Sequence, residues 1–135
     1  MINRIFGAAL VFLAVSAVPS TAGENEWVGL YKGLDALDGS VDYLSISTTA
    51  PGEFEIRIVP SVISLCETGV GWIVATGRLV EEGTLLRENA RVFCQGAEPV
   101  SLENRYFVRD DETGVIRYGA SDDGRSLIYH RISDD

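Results

Sequence analysis

The sequence predicts an all-β fold: an antiparallel up-and-down meander of about eight strands that closes into a small barrel, with a two-sheet β-sandwich as the alternative. Three observations carry that expectation. Beyond the N-terminal apolar run, no stretch repeats apolar residues at i, i+3, i+4 and i+7 over three turns. Short runs rich in β-branched and aromatic residues recur instead, with turn residues between them. Finally, an open meander leaves two unpaired edges. Closing it removes both, and about eight strands is a number at which a small barrel closes.

The first element lies outside that domain. Arg4 precedes an apolar run over 5–18, Pro19 breaks it, and Ser20-Thr21-Ala22 supplies small residues where a signal peptidase reads them. Residues 1–22 are therefore expected to be a secretory signal peptide, and 23–135 a single β-barrel domain. The run is short for a permanent span, so no stable membrane insertion is expected after cleavage. The short signal and the absence of an Asn-x-Ser/Thr sequon fit a periplasmic or secreted bacterial protein.

Strands are expected over 27–32, 41–48, 53–59 (with a possible continuation to residue 66), 71–80, 84–94, 105–109, 115–121 and 126–132. Within 53–59 the alternation is clean: Phe54, Ile56 and Ile58 share one face, and Glu53, Glu55 and Arg57 the other. Pro60 marks a bend, and 62–66 also reads as a short helix. The run 71–80 is apolar on both faces for much of its length, so its second face needs a cover or lines a cavity. Turns are placed at Asp38-Gly39, Pro51-Gly52, Glu82-Gly83, Thr113-Gly114 and Asp123-Gly124, the last being the strongest hairpin signal.

Two cysteines, Cys66 and Cys94, are expected to pair, because an exported chain folds under oxidising conditions and the count is even. A loop of that length is valued at roughly 3–4 kcal/mol by the chain-entropy model.

The charge balance narrows function. With 20 acids against 11 bases the net charge is −9. A nucleic-acid binder needs a dense basic face, so no nucleic-acid partner is expected, and an anionic membrane is a poor one. Loss of residues 1–22 removes Arg4 and brings the net charge to −10; Lys32 is then the one Lys among ten bases. A single His and two Cys do not supply a zinc site of several such ligands. The acidic turns Asp110-Asp111-Glu112 and Asp122-Asp123 lack the spaced ligand ladder of a calcium loop. No nucleophile elbow, phosphate-cradling loop or dinucleotide fingerprint is present. The protein is expected to be no enzyme and to carry no cofactor or metal.

What remains is binding. Trp27, Tyr31, Trp72 and Tyr106 are candidate walls of a small-ligand site, and Arg91 and Arg117, flanked by apolar residues, are the candidate inward cations for a ligand carboxylate. Trp27 and Trp72 are both expected to project inward, with any ligand beside Trp72. The segment Trp27-Val28-Gly29-Leu30-Tyr31, with its Trp and Gly on a first strand, resembles the lipocalin and calycin superfamily, which implies a barrel that binds a small apolar or amphipathic ligand. A second resemblance leads elsewhere. Residues 113–118 with Asp123-Gly124-Arg125 are similar to the loop region of small periplasmic inhibitors of C-type lysozyme, which implies an acidic module for a cationic exported partner.

Overall fold

Period-two alternation organises the chain into a closed antiparallel barrel. The computed structural model describes residues 26–35, 39–119 and 127–133. Its strands are β1 (Gly29–Leu34), β2 (Val41–Ala50), β3 (Glu53–Pro60), β4 (Gly71–Glu81), β5 (Thr84–Cys94), β6 (Val100–Ser101), β7 (Arg105–Arg109), β8 (Ile116–Tyr118) and β9 (Ile128–Ser133). They are ordered β4-β3-β2-β1-β9-β8-β7-β5, and the β4–β5 pair closes the ring of eight; the two-residue β6 is an addition on the second half of β5. The sandwich alternative is not what forms. The signal-peptide reading and the Asp123-Gly124 turn lie outside the described residues.

Turns fall at Pro51-Gly52, Glu82-Gly83 and Thr113-Gly114, between the expected strands. Several boundaries differ from expectation. The first strand, expected from Trp27, begins at Gly29, with Trp27 in a helical turn before it; β2 runs on to Ala50; β8 covers Ile116–Tyr118 of the expected 115–121, of which 120–121 lie outside the described residues; and β3 stops at Pro60. Residues 61–70 are neither strand nor helix: Ile63 and Gly69 exchange backbone hydrogen bonds with one another or with Cys66, folding the loop onto the barrel so that Ile63 and Cys66 are buried. The Cys66–Cys94 disulfide ties this loop to the end of β5, with the Cα atoms 5.3 Å apart.

The interior is filled by side chains. Trp27, Tyr31, Leu44, Phe54, Phe107 and Tyr129 are among its largest members, and all are buried. Register explains how they fit. Inward Phe54, Ile56 and Ile58 of β3 lie opposite Gly77, Ala75 and Ile73 of β4. Phe54 and Ile56 thus meet small residues on the neighbouring strand. A Cβ on Gly77 would stand 2.9 Å from Ile56 Cδ1, so the site tolerates no larger residue without repacking.

That packing overturns one expectation. The inward face of β4 is Gly71, Ile73, Ala75 and Gly77, and Trp72 points outward, 44% exposed. Alternation puts Gly71 and Ile73 inside, and a Cβ on Gly71 would already stand 2.6 Å from Cys66 Sγ, so the interior at this end of β4 has no room for an indole. Arg91 is also outward, for a different reason. On β5, Leu85 and Arg87 point in, and so do Ala90 and Val92. Asn89 adopts φ 53° at a bulge where Val74 pairs with Arg91 but Thr76 pairs with Glu88. One extra residue resets the alternation and turns Arg91 to solvent. Arg117 is exposed as well, on β8, where its neighbours Ile116 and Tyr118 take the inner side.

Candidate functional site

The expected site residues separate into an inner and an outer group. Trp27 and Tyr31 are inner. The Tyr31 hydroxyl donates to the Trp27 carbonyl at 2.7 Å and accepts from Arg131 Nη2 at 2.8 Å. Arg131 also donates to the carbonyls of Val28 and Glu26, and its guanidinium lies 5.0 Å from the Tyr31 ring centre. Gly29 makes room for it: a Cβ there would stand 2.6 Å from Arg131 Nη1. This assembly closes one end of the barrel. Its polar groups are spent on one another, so Trp27 and Tyr31 present structure and no open ligand surface.

The second inward cation is Arg87. Its Nη1 donates to the Tyr118 hydroxyl at 2.8 Å and its Nη2 to the Glu103 carbonyl at 2.7 Å. Desolvation lowers the Arg87 pKa, which the nearby Tyr118 opposes in part. Arg87 and Arg131 thus take the inner positions that sequence reasoning gave to Arg91 and Arg117. Nothing in the flanking residues distinguishes the two pairs.

The outer group lies on β2–β5. Trp72 stacks on Phe93, its cross-strand neighbour, with ring centres 5.7 Å apart and planes within 9°. The Arg91 guanidinium lies 5.4 Å from the Phe93 ring centre. Tyr43 pairs with Val59, and the Ile58–Ile73 pair sets Val59 beside Trp72, so one row of apolar side chains crosses the outside of four strands. Tyr43, Val59 and Trp72 are all exposed.

Next to the stack runs an open groove of about 230 Å³, lined by residues that include Glu55, Val74, Thr76, Asn89, Arg91 and Phe93. A second groove, of about 310 Å³, shares Thr49, Phe54, Thr76 and Asn89 with it and reaches Arg78 and Glu88. Asn89 is therefore at the junction. Its side-chain amide donates to Thr76 Oγ1 at 3.1 Å, and that hydroxyl donates to the Glu88 carbonyl at 3.1 Å. Arg78 Nε holds the Glu88 carboxylate at 2.9 Å, and Arg57 pairs with Glu55. The groove thus has polar groups fixed in place beside an aromatic platform.

Trp72 and Arg91 are brought together; Tyr106 and Arg117 stand apart from them, exposed on β7 and β8. Asn89 and Phe93 were missed by sequence reasoning. The signal for Asn89 was its type, since Asn is a poor strand residue but a tolerated one at positive φ, where bulges need it.

Two further surfaces stand out. An apolar groove of about 600 Å³ crosses β1, β2 and β9, lined by Lys32, Gly33, Leu34, Val41, Ile128, His130 and Ile132. At the end of the barrel holding the β2–β3, β4–β5 and β7–β8 turns, the acids Glu26, Glu53, Glu81, Glu82, Asp110, Asp111 and Glu112 gather. Arg109 is partly neutralised there by Glu26 at 3.4 Å and Asp111 at 3.6 Å. Backbone hydrogen bonds to the Asp110 carboxylate from Thr113 and Glu112 hold its pKa below the ordinary value. Among the described residues, no group of three or more His, Cys, Asp or Glu is placed to hold a metal ion.

No family model matches this chain, and no curated protein or solved structure matches it.

Proposed function

We propose that the protein is an exported, non-enzymatic binding module, and that it holds an amphipathic ligand on the outer face of β2–β5 beside Trp72. One observation carries this reading: side chains fill the barrel interior, while a tryptophan stacked on Phe93 stays 44% exposed on the outside, next to a groove with hydrogen-bonded polar groups. Export is supported by the apolar N-terminal segment and by the Cys66–Cys94 disulfide, which needs oxidising conditions to persist. The eight-stranded closed barrel is the architecture that the lipocalin and calycin resemblance implies. The binding mode proposed here uses the wall of that barrel and not its centre.

Fluorescence tests it, because the two tryptophans differ: Trp27 is buried and Trp72 is exposed. Fatty acids, detergents and oligosaccharides titrated into the protein should shift or quench emission for at least one class, and Trp72→Phe should abolish the change. Silence across the panel, or a change that persists in Trp72→Phe, overturns the reading.

A second reading is favoured by the acidic end of the barrel. A cationic exported protein, such as a lysozyme-like enzyme, would be steered to it by long-range attraction. Titration calorimetry against a C-type lysozyme should then show binding that weakens steeply with salt, and no heat at low salt would exclude that partner.

A further inference from the structure

Resting on the outer-face reading above, we infer that the ligand beside Trp72 is a saccharide: a neutral oligosaccharide segment whose pyranose ring lies on the indole and whose hydroxyls reach Asn89 and Arg91. A pyranose ring has a face of C–H groups and a rim of hydroxyls. The negative face of an aromatic ring attracts such a C–H face. Trp72 stacks parallel on Phe93 and remains 44% exposed, so part of the indole is accessible to such a C–H face.

The polar side chains suit the hydroxyl rim. Asn89 uses one amide N–H on Thr76 and, among the described residues, leaves its side-chain carbonyl oxygen without a partner. Arg91 lies over Phe93 and makes no ion pair among the described residues, so its guanidinium N–H groups remain available. Both are planar groups that can bond two adjacent hydroxyls. Neither has to be ordered on binding to the extent that a free side chain would, because the bulge holds Asn89 and the ring holds Arg91. Pre-organisation of this sort reduces the entropic cost of association.

Shape and charge argue against the other amphipathic classes. An acyl chain gains most from an enclosed apolar tunnel, whereas these grooves are open and set Thr49, Glu55, Thr76 and Asn89 among apolar residues such as Val74 and Phe93. Two grooves of about 230 and 310 Å³ that join at Asn89 make an elongated trough, which fits a chain of sugars better than a single one. A neutral ligand is also not repelled by a net charge of −9. Asn89 at φ 53° is consistent with such a role, since non-glycine residues at positive φ and strand bulges both concentrate at binding sites.

The experiment is an array of defined neutral oligosaccharides, β-1,4-linked glucose and N-acetylglucosamine series included, probed with the disulfide-intact protein and followed by titration calorimetry of the hits, a readout that does not depend on the indole being replaced. Binding to at least one series is expected. Trp72→Ala should weaken it about tenfold, Trp72→Phe less, and Asn89→Ala severalfold, while Tyr106→Ala on β7 should leave it unchanged. Near-UV circular dichroism checks that each variant keeps the fold. No oligosaccharide binding, together with a Trp72-dependent response to fatty acids or detergents, overturns the saccharide and leaves the outer-face site standing. Failure of every class overturns both. Saccharide binding that Trp72→Ala leaves undiminished also overturns the inference, because the site is then elsewhere on the protein.

Discussion

Inside the barrel, Arg87 donates to the Tyr118 hydroxyl at 2.8 Å and its guanidinium lies 5.5 Å from the same ring's centre. The pair joins β5 to β8, which are not neighbours in the sheet, across the β7 strand between them. Arg87 is 3% exposed, and its Nε has no hydrogen-bond partner among the described residues. A charge buried this way depends heavily on the partners it does have.

Tyr118→Phe should therefore cost about 1.5–3 kcal/mol, the usual range for a hydrogen bond to a charged group, because it leaves a second guanidinium nitrogen unsatisfied. Urea denaturation measures this as a lower midpoint with an unchanged slope. Arg87→Met, which removes the charge along with its needs, should cost less than Tyr118→Phe. The reverse order would show that the charge itself holds the barrel together.

High pH should destabilise the fold through the same region. Burial raises the pKa of Tyr118 and raises that of Tyr129 well above the ordinary value of 10.0, the charge on Asp42 adding to the latter. The unfolded chain then releases these protons at a lower pH than the folded one does. Their contribution is fully present below about pH 10 and is lost as the pH rises through the folded values. A denaturation midpoint that falls from about pH 10 upward, with tyrosinate absorbance appearing on unfolding, is the expected result. A midpoint constant to pH 11 would count against it.

At the β5 bulge, Asn89→Gly should be nearly neutral for stability and Asn89→Ala should cost about 1–2 kcal/mol. Glycine adopts φ near 53° freely, whereas an alanine Cβ is strained there. Thermal denaturation of the two variants separates them. Equal stability would mean that the bulge relaxes when Asn89 is replaced.

Removing the disulfide should cost roughly 3–4 kcal/mol by the chain-entropy model without changing the fold. The cross-link spans 28 residues and pins the loop that buries Ile63. Paired Cys66→Ala and Cys94→Ala substitutions should lower the urea midpoint while the far-UV spectrum stays β. An unchanged midpoint would show that the loop docks without the bond.

Much of the architecture was legible in the sequence. Alternation in Phe54, Ile56 and Ile58, the turn residues at Pro51-Gly52 and Glu82-Gly83, and the even cysteine count each act locally or by simple parity. Such signals need no knowledge of what lies opposite. The direction of Trp72 was not legible in this way. Both faces of β4 are apolar, so the strand's own sequence does not say which face is inner.

The sequence by itself determined an all-β chain, a barrel of about eight strands without the short β6, most of the turns and the pairing of Cys66 with Cys94. Only the tertiary structure decided which side chains reach the interior. Gly71, with Cys66 Sγ packed against it, and Ile73, Ala75 and Gly77 take the inner face of β4, which leaves Trp72 outward, and a single extra residue at Asn89 reverses the alternation of β5, which brings Arg87 in and turns Arg91 out. The physical reason is that a barrel has one fixed interior volume shared by all its strands. Which residue fills it depends on neighbours distant in sequence, and a one-residue shift in register exchanges the inner and outer faces of everything that follows.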